Sequence, residues 1–321
     1  MKDIVGVGSL NKDLIYEVED LEIAGQSFIP GGEVIGTADQ FRSVLETVER
    51  EGHLLQKSGG GSAANAVFSM SCMGFSTGFI GTVGDDQDGD FLIRLMGKVD
   101  CSRVRRTMKT GACISLIAEQ DRSLILLPNA NDALTITKDD VDFANGFSIV
   151  HLSSFVGDTA LKEQIGLVNS LNNDVLVSFD PGEVYAKKGL DAIHPIIKRS
   201  AIMFVNEREV RTITGQGGVA GVADLLRMGP GTVVLKMGAA GSTVFSGGAN
   251  YFIPAKRVKV VDKTGAGDVY ASGFLAGVLR GWSVEDCGEF ATQAAAASVA
   301  SAGREGYPDI KMLEKFERGG L

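Results

Sequence analysis

Residues 261–281 read VDKTGAGDVYASGFLAGVLRG and pass from a glycine-rich loop directly into an apolar helix. Gly265, Ala266 and Gly267 stand immediately before Asp268 at the predicted helix start. An aspartate there can cap the helix and a glycine can adopt a positive φ, but neither role requires three small residues in a row. Small side chains leave the backbone N–H groups at a helix N-terminus open to an anion. The stretch therefore predicts an anion-binding loop with a carboxylate beside it.

The composition limits the classes of partner. The chain has 321 residues, of which 44% are hydrophobic and 22% are charged, and its net charge is −9. This length allows one large α/β unit or two smaller ones. We expect no binding to nucleic acid or to an anionic membrane, since both require an extended basic face. A small anion stays a candidate ligand, because a local group of N–H donors binds it whatever the net charge.

The sequence shows neither a targeting signal nor a disulfide pattern. The first residues, MKDIVGVGSL, are interrupted by glycine too early for a signal peptide, and no apolar run reaches the 18 residues of a membrane span. The four cysteines lack C-x-x-C spacing, and the three histidines lack the spacing of metal ligands. We therefore expect a cytoplasmic protein in a reducing compartment, without a histidine metal site.

Short apolar runs alternate with helical patterns along the chain. Residues 37–52 have the apolar spacing of an amphipathic helix, with Thr37 and Gln40 as a capping box. The alternation predicts an α/β fold with a mainly parallel central sheet and helices on both faces. Segments 13–36 and 110–128 interrupt it and are expected to form a small β-sheet lid. No linker divides the chain, so residues 1–321 are expected to form one domain. The predicted central strands are 3–9, 76–84, 147–153, 174–180, 201–206 and 232–238.

Several loops that follow predicted strands carry unusual residues. Ligands of such sheets bind beyond the carboxyl ends of the strands. Each loop alone has a plain structural explanation, such as turn formation, flexibility or helix capping, but their joint occurrence predicts one binding site built from several loops. The loops are GSLNKD (8–13), SGGGSAAN (58–65), FDPGE (179–183), NERE (206–209) and DKTGAGD (262–268).

These segments resemble the signatures of the pfkB, or ribokinase-like, family of carbohydrate kinases over nearly the whole chain. DKTGAGDVYASGF (262–274) is similar to the second family signature, D-T-x-G-A-G-D, which is the specific one. GGGSAANAVFSMSCMGFSTGFIGTVGDDQDGD (59–90) is similar to the first, and VNEREV (205–210) matches the N-x-x-E motif. GSLNKDLI (8–15) and AAAASVASAGREGYP (294–308) resemble the family's sugar-contact strand and its C-terminal helix and loop. The resemblance implies a ribokinase-like fold and ATP-dependent transfer of a γ-phosphoryl group to a hydroxyl of a sugar or nucleoside.

The resemblance also implies catalytic roles at the segment quoted first. The N–H groups of Gly265, Ala266 and Gly267 would hold the moving phosphoryl group, whose charge is spread over three oxygens. Asp268 would take the proton from the attacking hydroxyl. Asp262 is a candidate ligand for a monovalent cation such as K⁺. It is followed by Lys263, where the family has a small hydroxyl or apolar residue.

Further binding residues are implied by the same resemblance. Glu209 would act on Mg²⁺ through water, because magnesium keeps several of its waters. The residues implied near ATP are Asn206, Glu209, Lys236, Gly238, Gly241, Lys263 and Thr264. Those implied near the acceptor are Asn11, Asp13, Gly60, Gly61, Asn65 and Asn131.

Two other functional classes fit parts of the sequence. A dinucleotide-binding NAD-dependent oxidoreductase is suggested by GVGSLN (6–11), but Asn11 replaces the third glycine and the 262–268 loop stays unexplained. A non-catalytic sugar or nucleotide sensor on the same fold is expected to lack the base, whereas Asp268 is present.

The acceptor itself stays open between a neutral sugar and a nucleoside. The insertion 25–57 resembles adenosine-kinase-type members, and Arg122 is the evident flap arginine for an acidic sugar. A homodimer through the lid is a further expectation.

Overall fold

The computed structural model describes residues 1–118, 121–301 and 303–319. The strands are β1 (Lys2–Val7), β2 (Asn11–Glu17), β3 (Glu22–Ile23), β4 (Gln26–Ser27), β5 (Glu33–Ile35), β6 (His53–Gly60), β7 (Thr77–Val83), β8 (Asp100–Arg106), β9 (Gly111–Ala118), β10 (Asp121–Leu127), β11 (Phe147–Ser153), β12 (Leu176–Asp180), β13 (Ile202–Asn206), β14 (Thr232–Lys236), β15 (Ser242–Ser246) and β16 (Ala249–Ile253). The helices are α1 (Ala38–Glu51), α2 (Ser62–Cys72), α3 (Gln87–Leu95), α4 (Lys138–Ala144), α5 (Asp158–Ser170), α6 (Gly182–Lys188), α7 (Leu190–Arg199), α8 (Glu207–Thr214), α9 (Gly218–Met228), α10 (Ala266–Leu279), α11 (Val284–Val299) and α12 (Ile310–Glu317).

A large sheet of nine strands runs in the order β16-β15-β14-β13-β12-β11-β1-β7-β8. The strands from β14 to β8 are parallel, and β15 and β16 extend the sheet in antiparallel pairing. Helices cover both faces, with α5, α7 and α9 in one buried core and α2, α10 and α11 in the other. Strands buried on both faces contain continuous apolar runs, such as the buried residues 202–205 of β13. The predicted α/β class with a mainly parallel sheet is confirmed.

A smaller separate sheet of five strands runs in the order β5-β10-β9-β2-β6. Four of its strands come from the segments near 13–36 and 110–128, so the prediction that they form a sheet outside the central one is confirmed. Helix α1 begins at the predicted capping box of Thr37 and Gln40 and packs on this sheet through Phe41, Val44 and Val48.

The sequence patterns do not predict strand β6. Residues 53–58 of this strand are exposed or only partly buried, because β6 forms one edge of the small sheet. An edge strand of this kind needs no alternation of apolar side chains, which is the pattern that marks a half-buried strand. The expected loop at 58–65 therefore begins as a strand and passes directly into α2.

Candidate active site

Three neighbouring strands of the large sheet end in polar side chains. Asp180 ends β12, Asn206 ends β13 and Lys236 ends β14. Because parallel strands share a carboxyl edge, the three side chains lie together. They line a cleft of about 370 Å³, which residues of the small sheet also line. We call this space the main cleft. The predicted residues that line it are Asn11, Asp13, Gly61, Asn65, Asn206, Glu209, Lys236, Lys263, Thr264, Gly265, Ala266, Gly267 and Asp268.

The loop before α10 is held in shape by Asp262. One carboxylate oxygen of Asp262 accepts the N–H of Thr264 at 2.8 Å, and the other accepts the N–H of Gly303 at 3.1 Å. Gly265 is the N-cap of α10 and has a φ of 74°. A Cβ on Gly265 would lie 2.8 Å from the hydroxyl of Tyr307. Both the left-handed backbone and this close contact require glycine.

The first turn of α10 presents free N–H donors. Among the residues that the structure describes, none accepts a hydrogen bond from the N–H of Gly267 or Asp268. A Cβ on Gly267 would lie 3.5 Å from Nζ of Lys236, so the ammonium borders the same space as the helix terminus. The positive end of a helix dipole and an ammonium group both favour an anion. The geometry therefore supports the predicted anion-binding loop.

Asp268 lies in the first turn of α10. Its Oδ2 accepts a hydrogen bond from Nδ2 of Asn65 on α2 at 2.8 Å. Burial raises the pKa of Asp268 above its ordinary value, while the hydrogen bond from Asn65 opposes this shift and the charge of Asp180 adds to it. A positioned carboxylate of raised pKa in a cleft has the properties of a general base.

Lys236 is held by an ion pair with Asp180. Its Nζ lies 2.6 Å from Oδ2 of Asp180, and the two side chains are only 18% and 8% exposed. Burial by itself lowers the pKa of Lys236, but the charges of Asp180 and Glu209 outweigh it and the net shift is upward. The ammonium therefore stays charged beside the N-terminus of α10.

Asn206 and Glu209 form the capping box of α8. The side chain of Asn206 accepts the N–H of Glu209 at 2.9 Å, and Oε2 of Glu209 accepts the N–H of Asn206 at 2.9 Å. Burial raises the pKa of Glu209 to about 7; Lys236 opposes this shift and Asp180 adds to it. The pair thus has the structural role of a helix cap and also lines the main cleft.

Asn11 and Asp13 of β2 line the part of the main cleft next to the small sheet. Nδ2 of Asn131 donates to Oδ1 of Asn11 at 2.7 Å, and the N–H of Leu10 donates to Oδ1 of Asn131 at 2.9 Å. Asn131 therefore orients Asn11 from behind. Burial raises the pKa of Asp13 to about 7, with the charge of Arg304 opposing the shift.

Five of the predicted residues lie outside the lining of the main cleft. A Cβ on Gly60 would lie 2.0 Å from the carboxylate of Asp13, so Gly60 makes room for that side chain. Gly238 and Gly241 have φ values of 57° and 105° in the turn between β14 and β15, which explains both glycines without a ligand. The five are Gly60, Asn131, Gly238, Gly241 and Asp262.

Arg304 and Asp180 are parts of the site to which sequence reasoning assigned no role. Nη2 of Arg304 donates to Oδ1 of Asn65 at 3.0 Å, and the guanidinium lies 4.3 Å from the centre of the Phe68 ring. Asn65 therefore connects Arg304 to Asp268. The available signals were the C-terminal segment 294–308, which contains Arg304, and the FDPGE loop, which contains Asp180.

Residues 1–118, 121–301 and 303–319 contain neither a metal-ligating cluster nor a membrane-spanning helix. In these ranges no group of three or more histidine, cysteine, aspartate or glutamate side chains is arranged to hold a metal ion. No helix in the same ranges is both long and apolar enough to cross a membrane.

Comparison with known proteins gives the class and then the family. The similar proteins are named sugar kinases and ribokinase, and the chain is a phosphotransferase with an alcohol group as acceptor. Residues 1–309 match the pfkB family of carbohydrate kinases, and the chain belongs to this family. The sequence resemblance is therefore confirmed.

Three similar proteins illustrate the range of the family. An uncharacterized sugar kinase of Archaeoglobus fulgidus is 31% identical over 74% of this chain and 98% of its own. A cytidine kinase of Thermococcus kodakarensis is 31% identical over 71% of this chain and 83% of its own. Ribokinase of Arabidopsis thaliana, solved with ribose and ATP, is 25% identical, with a TM-score of 0.79 and 98% of both chains covered.

Proposed function

We propose that the protein transfers the γ-phosphoryl group of ATP to a hydroxyl of a sugar or nucleoside bound in the main cleft. The observation that carries this proposal is the carboxylate of Asp268, which has a raised pKa and lies within one helical turn of the free N–H of Gly267. Phosphoryl transfer needs a base for the attacking hydroxyl and fixed positive charge around the transferred oxygens. The first turn of α10 provides both.

Each residue of the main cleft has a separate proposed role in the transfer. Asp268 accepts the proton of the attacking hydroxyl, which is worth ~10²–10⁴ in rate for a general base. The N–H groups of Gly267 and Asp268 and the ammonium of Lys236 stabilise the charge on the transferred phosphoryl group. The N–H of Ala266, which the sequence also placed in this role, already donates to the carbonyl of Lys263 at 3.3 Å. Asn65 orients Asp268 through its hydrogen bond. Asn11 and Asp13 bind hydroxyls of the acceptor. Gly61 is required by its own backbone, since its φ is 109° and a Cβ there would lie 2.0 Å from the carbonyl oxygen of Ser9.

ATP and Mg²⁺ fit the residues at the carboxyl edge of the large sheet. Lys263 and Thr264 line the main cleft next to the helix terminus, where phosphates are favoured. The buried carboxylate of Glu209 has a pKa raised partly by Asp180, so a nearby divalent cation would relieve this repulsion. Bound Mg²⁺ would neutralise phosphate charge and reach Glu209 through water.

A K⁺ site at Asp262 stays a prediction, and two features of the structure bear on it. Both carboxylate oxygens of Asp262 already accept backbone N–H groups, from Thr264 and Gly303. The neighbouring Lys263 adds a positive charge. We assign no step to a monovalent cation.

The small sheet is proposed to act as a lid on a single domain. Its closure over the main cleft would exclude water, which competes with the acceptor hydroxyl. Leu54 and Leu55 are 45% and 49% exposed on the edge strand β6, where a second copy would pair in a homodimer. The free cysteines agree with the reducing cytoplasm proposed as its location.

An activity panel tests the proposed function. We expect Mg–ATP to be consumed with pentoses, hexoses or nucleosides, and mass spectrometry to show a phosphorylated acceptor. The same panel with ADP in place of ATP tests whether the protein uses ADP as its phosphoryl donor. Absence of a phosphorylated product across the whole panel with both donors would refute the kinase proposal.

The pKa of Asp13, about 7 because of burial, gives the acceptor affinity a pH dependence. The ionised carboxylate accepts hydroxyl donors more strongly than the protonated group, so acceptor binding is strong above this pKa and weakens below it. We expect kcat/KM of the wild type to exceed that of Asp13→Asn by ~10-fold at about pH 8, and the difference to shrink by about pH 6.

The ratio of the two kcat/KM values isolates Asp13 from other titrating groups. Assays at saturating Mg–ATP keep the metal charge near Glu209 constant between the two proteins. A ratio that stays constant from about pH 6 to about pH 8 would show that Asp13 does not bind the acceptor as a carboxylate.

A further inference from the structure

A second cavity of about 160 Å³ continues the main cleft. It is much larger than the ~10–15 Å³ that one water needs, so it has room for a ring system. The two spaces share the aliphatic side chains of Leu126, Val156 and Val184 as lining. Ile35 lines the second cavity but not the main cleft, and its side chain is 54% exposed. The second cavity therefore offers an apolar surface at the end of a polar cleft.

The charged groups around the second cavity leave little attraction for an anion. Nζ of Lys187 lies 2.7 Å from Glu183, and Nζ of Lys188 lies 2.5 Å from Asp158. Both lysines of the lining are thus paired with carboxylates. A carboxylate or phosphate on the acceptor would meet charges that are already neutralised.

Two carboxylates, Glu33 and Glu183, line both the main cleft and the second cavity. Burial raises the pKa of Glu33 and the charge of Glu183 adds to this shift, while the charges of Arg122 and Lys187 oppose it. Both carboxylates offer acceptor oxygens to the space that they line, so a ligand group that reaches them needs hydrogen-bond donors. Exocyclic amino groups are donors of this kind, whereas carbonyl oxygens are not.

We propose, building on the kinase function above, that the acceptor is a nucleoside whose base carries an exocyclic amino group. The sugar lies in the main cleft with its hydroxyl at Asp268, and the base lies in the second cavity against Leu126, Val184 and Ile35. A planar ring gains from burial between aliphatic side chains. A free sugar has hydroxyls on every side and would leave this apolar surface uncovered.

Comparison of ribose with nucleosides tests the proposal. We expect kcat/KM for cytidine or adenosine to exceed that for ribose by ~10²-fold, since the base adds apolar burial. Uridine has a carbonyl oxygen where cytidine has its amino group, and we expect its kcat/KM to be ~10-fold lower than that of cytidine. Ribose or a hexose used as well as any nucleoside would overturn the nucleoside assignment while leaving the kinase function intact. Equal use of uridine and cytidine would overturn the role of the amino group.

A pair of neighbouring variants locates the base. Ile35 and Val34 are adjacent on β5 and point to opposite faces of the strand, and only Ile35 lines the second cavity. Ile35→Asp places a charge against the base and is expected to raise the nucleoside KM by ~10-fold, with KM for ribose unchanged. Val34→Asp makes the same change on the other face, at a residue that is 40% exposed, and is expected to leave both KM values unchanged.

The two variants distinguish a base in the second cavity from a general effect on strand β5. If Ile35→Asp leaves the nucleoside KM unchanged, the base lies elsewhere and the proposal is overturned. If Ile35→Asp and Val34→Asp raise KM for nucleoside and ribose equally, the effect comes from strand β5 and the proposal is also overturned. If the wild type phosphorylates none of the acceptors, the kinase function itself is refuted, which is a different outcome.

Discussion

Asp268→Asn is expected to lower kcat by ~10²-fold or more, while the Kd for ATP stays close to that of the wild type. Asparagine has the same size and still accepts the hydrogen bond from Nδ2 of Asn65, which spans 2.8 Å in the wild type. It cannot take the proton of the attacking hydroxyl. Loss of turnover with binding retained is the mark of an interaction made only in the transition state. Steady-state kinetics and calorimetric titration with ATP measure the two quantities.

Asp286→Asn is the matched control for this variant. Asp286 occupies the same position in the first turn of α11 as Asp268 does in α10, but it is exposed and hydrogen-bonded to Ser283. We expect Asp286→Asn to leave kcat unchanged. Near-normal kcat in Asp268→Asn would mean that Asp268 only caps α10, and the assignment of the base would be wrong.

Lys236→Met is expected to lower kcat by ~10²-fold, the usual loss when one preorganised charge partner of the transition state is removed. Methionine keeps most of the length of the side chain but not the ammonium beside Gly267. Because that ammonium also faces the bound phosphates, KM for ATP should rise as well. Lys315→Met, at an exposed lysine of α12 outside every site loop, serves as the surface control and should behave like the wild type.

The stability of this variant needs its own measurement, because the lysine neutralises a buried carboxylate. Asp180 is only 8% exposed and loses its partner in Lys236→Met. Removing one partner of a buried pair typically lowers the free energy of unfolding by ~3–5 kcal/mol. The double variant Asp180→Asn/Lys236→Met should recover much of this free energy in urea unfolding but not the turnover. Recovered turnover would mean that Lys236 serves only to neutralise Asp180.

Much of the fold can be predicted from local sequence patterns. Buried parallel strands such as β13 contain continuous apolar runs, and α1 has both its apolar face and its capping box in the sequence. These signals are local, because burial on a strand or helix face imposes a period on nearby residues. Strand β6 has no such period, since its position at the sheet edge leaves most of its side chains in solvent. Its pairing with β2 is set by the tertiary structure and not by a local sequence pattern.

Some parts of the candidate site can likewise be predicted from local sequence and others cannot. The sequence alone determined the capping pair of Asn206 and Glu209 and predicted the anion-binding loop with Asp268 beside it. Each lies within a short contiguous segment whose residue types and order express its chemistry.

Only the tertiary structure joined Lys236 to Asp180, 56 residues away, and Arg304 to Asn65, 239 residues away. It also showed that the main cleft continues into an apolar cavity between β5, β10 and α6. The physical reason is that contacts and cavities depend on which strand ends and helix termini the topology brings together, and side chains far apart in sequence carry no local mark of their partners.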